Sequence, residues 1–196
     1  MKKIPTIFER DWNGDRSRVL NQINPAAQWV FDGEGIATRK IDGIPCRVLD
    51  RSLYRRRDLA PGQAEPDDFD LSDHDKETGK KVGWMPTNRE KPEDRWHYQA
   101  WDAAAGCGLE DGVYELVGPK VQGDPEAVGA HRLVRHGEGI AGPLDAVPRT
   151  FDALREWLTG KNIEGVVWHH PDGRMAKIKL RDFGLKRTMN AKTPAG

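Results

Sequence analysis

Apolar and polar positions recur with changing period along this chain, and the changes mark out short strands and two or three helices. Residues 1–14 carry Ile4, Ile7 and Phe8 as spaced anchors, the pattern of an extended arm. Residues 15–22 read as a short helix ended by Asn24-Pro25, because a residue before proline resists the helical region. Trp29-Val30-Phe31 reads as a strand with Asp32-Gly33 as its turn, and 36–39 as a strand leading into Lys40. Residues 45–49 form the next strand of the same meander, with a tight turn at 50–52 before an apolar-basic strand at 53–57. From 59 to 92 the chain is polar and without period, so a long loop or insertion is expected, anchored only by Val82, Trp84 and Met85. Proline at the start, Glu93 and Asp94 in the first turn, and Trp96, Ala100, Ala103 and Ala104 at helical spacing predict a helix over 92–105. Residues 113–117 and 133–135 read as strands. Thr150 caps a helix through Leu158, with Phe151, Leu154 and Leu158 on one face and Gly160 as its stop.

The last two strands allow a geometric expectation. Segments 163–171 and 174–180 flank Asp172-Gly173, which suits a two-residue turn. That register pairs Trp168 with Lys177 and Val166 with Lys179, and puts Glu164, Val166, Trp168, Lys177 and Lys179 on one face. A loop one residue longer would put Glu164 on the other face from the lysines.

Charge changes the picture little. The 196 residues hold 31 basic and 31 acidic side chains, so any nucleic-acid surface must be a local patch such as Arg51, Arg55, Arg56 and Arg57. Two cysteines without metal-like spacing, and no leader-like N-terminus, lead to the expectation of a reduced, cytoplasmic protein. No apolar run reaches the roughly 20 residues of a membrane-spanning helix, so no membrane partner is expected. The elements sum to a single α+β domain of mostly antiparallel sheets flanked by helices, with a flexible tail over 186–196 and a monomer favoured.

The candidate chemistry lies in Lys40-Ile41-Asp42-Gly43, Glu115 within Tyr-Glu-Leu-Val-Gly-Pro, Glu164-Gly-Val-Val, and Lys177-Ile-Lys179, in that order. With Tyr54-Arg55-Arg56-Arg57, these segments resemble the covalent nucleotidyltransferase superfamily of ATP-dependent ligases and mRNA-capping enzymes. The run from Glu115 into Lys120-Val-Gln is similar to its RNA ligase branch. The resemblance spans about residues 29–185, leaving out the 59–92 segment, and implies an adenylyltransferase fold. With few residues after Lys179, no appended OB-fold is expected.

What the resemblance implies can be set residue by residue. Lys40 is the nucleophile that attacks ATP and carries AMP; as a lysine it must first lose its proton, which desolvation and neighbouring cations promote. Asp42 and Glu164 are hard oxygen ligands for Mg²⁺ or Mn²⁺. Lys177 and Lys179 stabilise the α-phosphate and the leaving pyrophosphate. Glu115 binds ribose hydroxyls, and Arg56 contacts nucleotide or RNA phosphate. The family places an aromatic residue over adenine after the third motif, but 131–136 here contains neither Phe nor Tyr; His136 or Arg135 stacking on one side and Val166 covering the other are the expectation. Arg39 stands before the nucleophile where the family often has an acid. The implied activity is ATP-dependent RNA ligation, joining a 5′-phosphate to a 3′-hydroxyl. A GTP-dependent capping-type guanylyltransferase and a non-catalytic RNA-end or nucleotide-binding module are the alternatives.

Overall fold

The computed structural model describes residues 4–76, 78–104, 108–138 and 142–188. In chain order the strands are β1 (Phe8–Arg10), β2 (Val19–Ile23), β3 (Ile36–Lys40), β4 (Ile44–Leu49), β5 (Ser52–Leu59), β6 (Asp70–His74), β7 (Lys81–Pro86), β8 (Gly112–Val117), β9 (Arg132–Arg135), β10 (Gly165–His169) and β11 (Met175–Lys179). The helices are α1 (Gln28–Phe31), α2 (Arg95–Ala104) and α3 (Phe151–Leu158). All strand pairing within the sheets is antiparallel, as the α+β reading expects. Among the described residues no helix is long and apolar enough to cross a membrane. By contact the described residues group into two compact units: Asp42–His136, and Ile4–Ile41 with those from Gly137 on.

In the second of these, β3, β10 and β11 make a three-stranded sheet in the order β11-β10-β3, and β1 pairs with β2. One face of the three-stranded sheet, carrying Ala37, Val166, Trp168, Ala176 and Ile178, is buried against Trp29, Val30, Leu154, Leu158 and the rings of Phe8 and Phe183. The arm residues Ile7 and Phe8 are buried in this core, as the sequence pattern suggests. Two elements differ from expectation. Residues 15–22 are not a helix: Asp15 accepts hydrogen bonds from the Ser17 backbone N–H and hydroxyl, closing a turn, and β2 follows to pair with β1. Trp29-Val30-Phe31 is helical rather than a strand. Asn24-Pro25 starts a helix instead of ending one, because the Asn24 side chain caps the Ala26 N–H and proline suits the first helical position.

The Asp42–His136 unit is a six-stranded sheet, β6-β7-β5-β4-β8-β9. Cys46, Val48, Leu53, Tyr114 and Leu116 pack one face against Ala100 of α2 and Val121. Strand β4 therefore belongs to this sheet and not to a meander with β3. The 59–92 segment also departs from the loop reading: β7 pairs with β5, and β6 pairs with β7, extending the sheet at its edge. Little apolar burial marks these strands in sequence; charged contacts such as Lys81–Glu65 (2.6 Å) and Arg47–Asp70 (2.6 Å) accompany the ladder instead. Helix α2 runs as expected as far as Ala104, Ala105 lying outside the described residues. It turns His97 into the interior at 4% exposure. Of the expected tail, 189–196 lie outside the described residues, while Arg187 is held by the Asn162 side chain (2.7 Å).

Candidate active site

The C-terminal hairpin determines what the first cluster contains. Its observed register pairs Gly165 with Lys179, Val167 with Lys177 and His169 with Met175, while Gly165 also pairs with Lys40 on β3. The His170 N–H donates to the Arg174 carbonyl, so the connection is the three residues Pro171-Asp172-Gly173, with Gly173 in the left-handed region (φ +89°). The extra residue reverses the expected partition. Lys177 and Lys179 share a face with Gly165, Val167, Thr38 and Lys40, whereas Val166 and Trp168 point into the core, both 0% exposed. Val166 therefore cannot cover a base lying beside the lysines; Val167 is the apolar residue on that face.

Glu164 nevertheless meets both lysines. It precedes β10, in a bend, and is free of the strict alternation that a strand imposes. Its Oε2 accepts from Lys40 Nζ at 2.6 Å and its Oε1 from Lys179 Nζ, so one carboxylate bridges two ammonium groups. Burial alone would raise the Glu164 pKa, but Lys40 and Lys179 outweigh it and the carboxyl sits below its usual value. Lys177 is pushed down to about 8, first by burial and then by the charges of Lys179 and Lys40. Gly165, between Lys40 and Lys179 in the ladder, is required by packing: a Cβ there would lie 2.0 Å from the Ile178 carbonyl oxygen.

The same face holds His169, whose Nε2 is 2.9 Å from Thr38 Oγ1. Sequence reading left both unassigned, and only their place in the register reveals them.

The remaining expected residues lie in the Asp42–His136 unit. The Asp42 N–H donates to Glu126 Oε1 (3.2 Å), and Gly43 sits so close to β8 that a Cβ would meet the Leu116 carbonyl oxygen at 2.5 Å. Glu115 is 7% exposed on β8; its Oε1 is 3.0 Å from His136 Nε2, and its buried Oε2 has no hydrogen-bond partner among the described residues. Burial of a carboxylate oxygen without a partner is costly, which marks Glu115 as a group built to receive donors.

Alternation along β5 separates the three arginines. Arg55, paired with Cys46, faces the core side and meets the fully buried Asp94 (3.2 Å). Arg56 pairs with Trp84 and takes the opposite face, the one that carries Glu115 and its partner Pro45 on the neighbouring strands. It forms an ion pair with Asp58 (2.8 Å). Arg135 pairs with Tyr114 on the core side and binds Glu110, which removes it as a base-stacking candidate on the Glu115 face. Cys46 is buried, and burial, with Glu115 and Asp94 adding to it, pushes its thiol pKa upward, away from nucleophilic use.

Among the described residues no group of three or more His, Cys, Asp and Glu side chains could hold a metal ion. Glu164 and Asp42 are single carboxylates of the hard-oxygen type that magnesium accepts alongside retained waters.

No protein-family model matches the chain. It is similar to proteins named RNA ligase 1. It is 27% identical over 140 residues to that of Danio rerio, covering 56% of this chain and 42% of the relative. It is 23% identical over 221 aligned positions to that of Rattus norvegicus, covering 76% and 67%. It is 25% identical over 139 residues to that of Pongo abelii, covering 56% and 42%. The chain thus spans under half the length of the Danio rerio and Pongo abelii proteins. These distant likenesses support a relationship to RNA ligases.

Proposed function

We propose that the chain is an ATP-dependent RNA ligase working through a lysyl-AMP adduct on Lys40. The observation that carries this reading is the bridge of Lys40 and Lys179 by Glu164, with Lys177 alongside on the same sheet face. An amine set beside two further ammonium groups suits attack on a polyanionic triphosphate.

The deprotonated Lys40 amine attacks the α-phosphorus of ATP, forming an N–P bond as the P–O bond to the β-phosphate breaks and pyrophosphate leaves. A 5′-phosphate oxygen of RNA then attacks the same phosphorus, returning the electron pair to Lys40 and making an RNA-adenylate. Finally a 3′-hydroxyl, losing its proton, attacks the 5′-phosphorus and AMP departs.

Each residue has work in these steps. Lys177 and Lys179 neutralise charge on the phosphoryl oxygens as it develops. Glu115 accepts ribose hydroxyls through its unpartnered oxygen, with His136 holding the other oxygen. Arg56 contacts phosphate, and Val167 offers the apolar surface beside the base. Glu164 would hold a divalent cation, which when bound lowers the charge of the phosphates, and Asp42 is a further carboxylate of the kind such a cation accepts.

The test is incubation with α-labelled ATP or GTP and Mg²⁺ or Mn²⁺, followed by detection of an acid-labile protein adduct. An ATP adduct that disappears in Lys40→Ala, and sealing of 5′-phosphate RNA to a 3′-hydroxyl, is the expected result. No adduct with ATP, or one that survives Lys40→Ala, would overturn the reading, and an adduct formed only with GTP would point to guanylyl transfer.

A further inference from the structure

Lys179 is held from behind as well as in front. Its backbone N–H donates to Asp182 Oδ2 at 2.8 Å. Asp182 lies in the single 3-10 turn Leu180–Phe183 that follows β11, and Gly184, in the left-handed region at φ +80°, closes that turn. The second oxygen, Oδ1, accepts from Arg10 Nη2 on β1 at 3.0 Å. The Asp182 side chain is 0% exposed and that of Arg10 22%.

A fully buried carboxylate is costly unless it is paired and hydrogen-bonded, and here both oxygens are used. The same turn reaches Glu164, because the Leu180 N–H donates to the Glu164 carbonyl at 3.0 Å. Lys177 is pinned by the arm in the same way. Its N–H donates to the Pro5 carbonyl (2.9 Å), and its carbonyl accepts from the Ile7 N–H (3.0 Å), so the arm runs alongside β11.

We propose that Asp182, anchored by Arg10, is a positioning residue for Lys179, and that the N-terminal arm is thereby part of what aims the phosphate-handling lysines. The inference rests on the reading of Lys179 as a phosphate-binding ammonium. Asp182 touches no substrate; it fixes the backbone from which Lys179 projects, just where β11 gives way to the turn and the sheet ladder no longer does so. A misplacement of about 1 Å in such a group can cost on the order of a hundredfold in rate.

A purely structural Asp182 and a positioning Asp182 differ in how their loss combines with loss of Lys179. Rates of adduct formation with labelled ATP are compared for wild type, Asp182→Ala, Lys179→Ala and the double variant. Asp182→Ala is expected to lose roughly tenfold or more alone and less than about twofold further in the Lys179→Ala background, since the two act as one unit. Asp182→Asn, which keeps an acceptor for the Lys179 N–H, is expected to recover most of the rate. Losses that multiply, or an Asn variant no better than Ala, would overturn the proposal.

A second measurement needs no nucleotide chemistry. Amide hydrogen exchange at Lys179, and the rate at which its ammonium is acylated by an amine-directed reagent, are read by mass spectrometry. Both rise in Asp182→Ala, or in Arg10→Met should the first variant not fold; unchanged values would sink the proposal. If wild type forms no adduct, the ligase reading fails on its own, while the exchange and acylation data still decide whether Asp182 positions Lys179.

Discussion

Lys40 and Lys179 share one counter-ion, and this dictates what single substitutions do. Glu164→Gln leaves an oxygen acceptor but removes the charge, so Lys40, Lys177 and Lys179 face one another unbalanced. Adduct formation is expected to fall roughly a hundredfold, and stability by about 2 kcal/mol after allowance for the partial exposure of the pair; urea titration measures the second.

Lys177 gives a pH signature with a definite sign. Its pKa falls from the ordinary 10.5 to about 8 on folding. Below pH 8 both states carry the proton and the cost of the buried charge is fully present. Between 8 and 10.5 the unfolded chain holds more protons, so stability rises with pH through that window. Lys177→Met, which lacks the group, is therefore expected to be more stable than wild type at pH 7, by up to about 3 kcal/mol. The gap should close as pH rises through the window, as thermal or urea melts at several pH values would record.

Among the candidate site residues, residue type is legible in the sequence and orientation is not. Lys40, Glu164, Lys177 and Lys179 were visible from residue type and order, whereas Val166 and Val167, identical in chemistry, differ only in which face they take. The register decides that.

The element that fixes the face is the 171–173 connection. Asp172-Gly173 invites a two-residue reading, but Pro171 has no N–H to give to a ladder, and the loop takes it in. Deleting Pro171 leaves Asp172-Gly173 as a two-residue turn between the same flanking pair, His170 and Arg174, so Val167 still meets Lys177 and both lysines keep their face. Cooperative folding and adduct formation are both expected to be retained, as circular dichroism and labelling would record. Gly173→Ala keeps the register and costs only the left-handed conformation, about 1 kcal/mol, with adduct formation retained.

Other elements were misread where a local signal has two meanings. Asn24-Pro25 both resists a preceding helix and caps a following one, and the chain, which lacks a helical apolar stripe over 15–22, takes the second. Strand β6 has little apolar face to reveal a period, and the Val82 and Trp84 pair on β7 is too short to mark one; pairing to β5 makes β7 a strand, and pairing to β7 makes β6 one.

At the scale of the whole molecule, the two points where the chain passes between its compact units leave unequal traces in the sequence. The chain changes unit between Ile41 and Asp42 with no linker, and again between His136 and Gly137, where the glycine-rich run 137–143 begins. The first change falls inside the Lys40-Ile41-Asp42-Gly43 motif itself.

Net neutrality, with 31 charges of each sign, also sets an expectation for RNA. Several arginines of the 51–57 patch are already paired, Arg55 with Asp94 and Arg56 with Asp58. Few are left to displace counterions, and each phosphate contact to a single strand contributes about −0.7 to the logarithmic salt slope. A slope no steeper than about −3 is expected from binding isotherms across a salt series.

The Glu164 bridge offsets part of the positive charge at the scale of the site, one carboxylate lying between Lys40 and Lys179. The pocket of cations is stored with its own anion in place, so a stray sulfate, chloride or inorganic phosphate must evict a tethered carboxylate before it can settle there. Such anions are expected to bind weakly, and under the proposed function only an occupant that brings further contacts, as a nucleotide would, is expected to displace Glu164 and set Lys40 free.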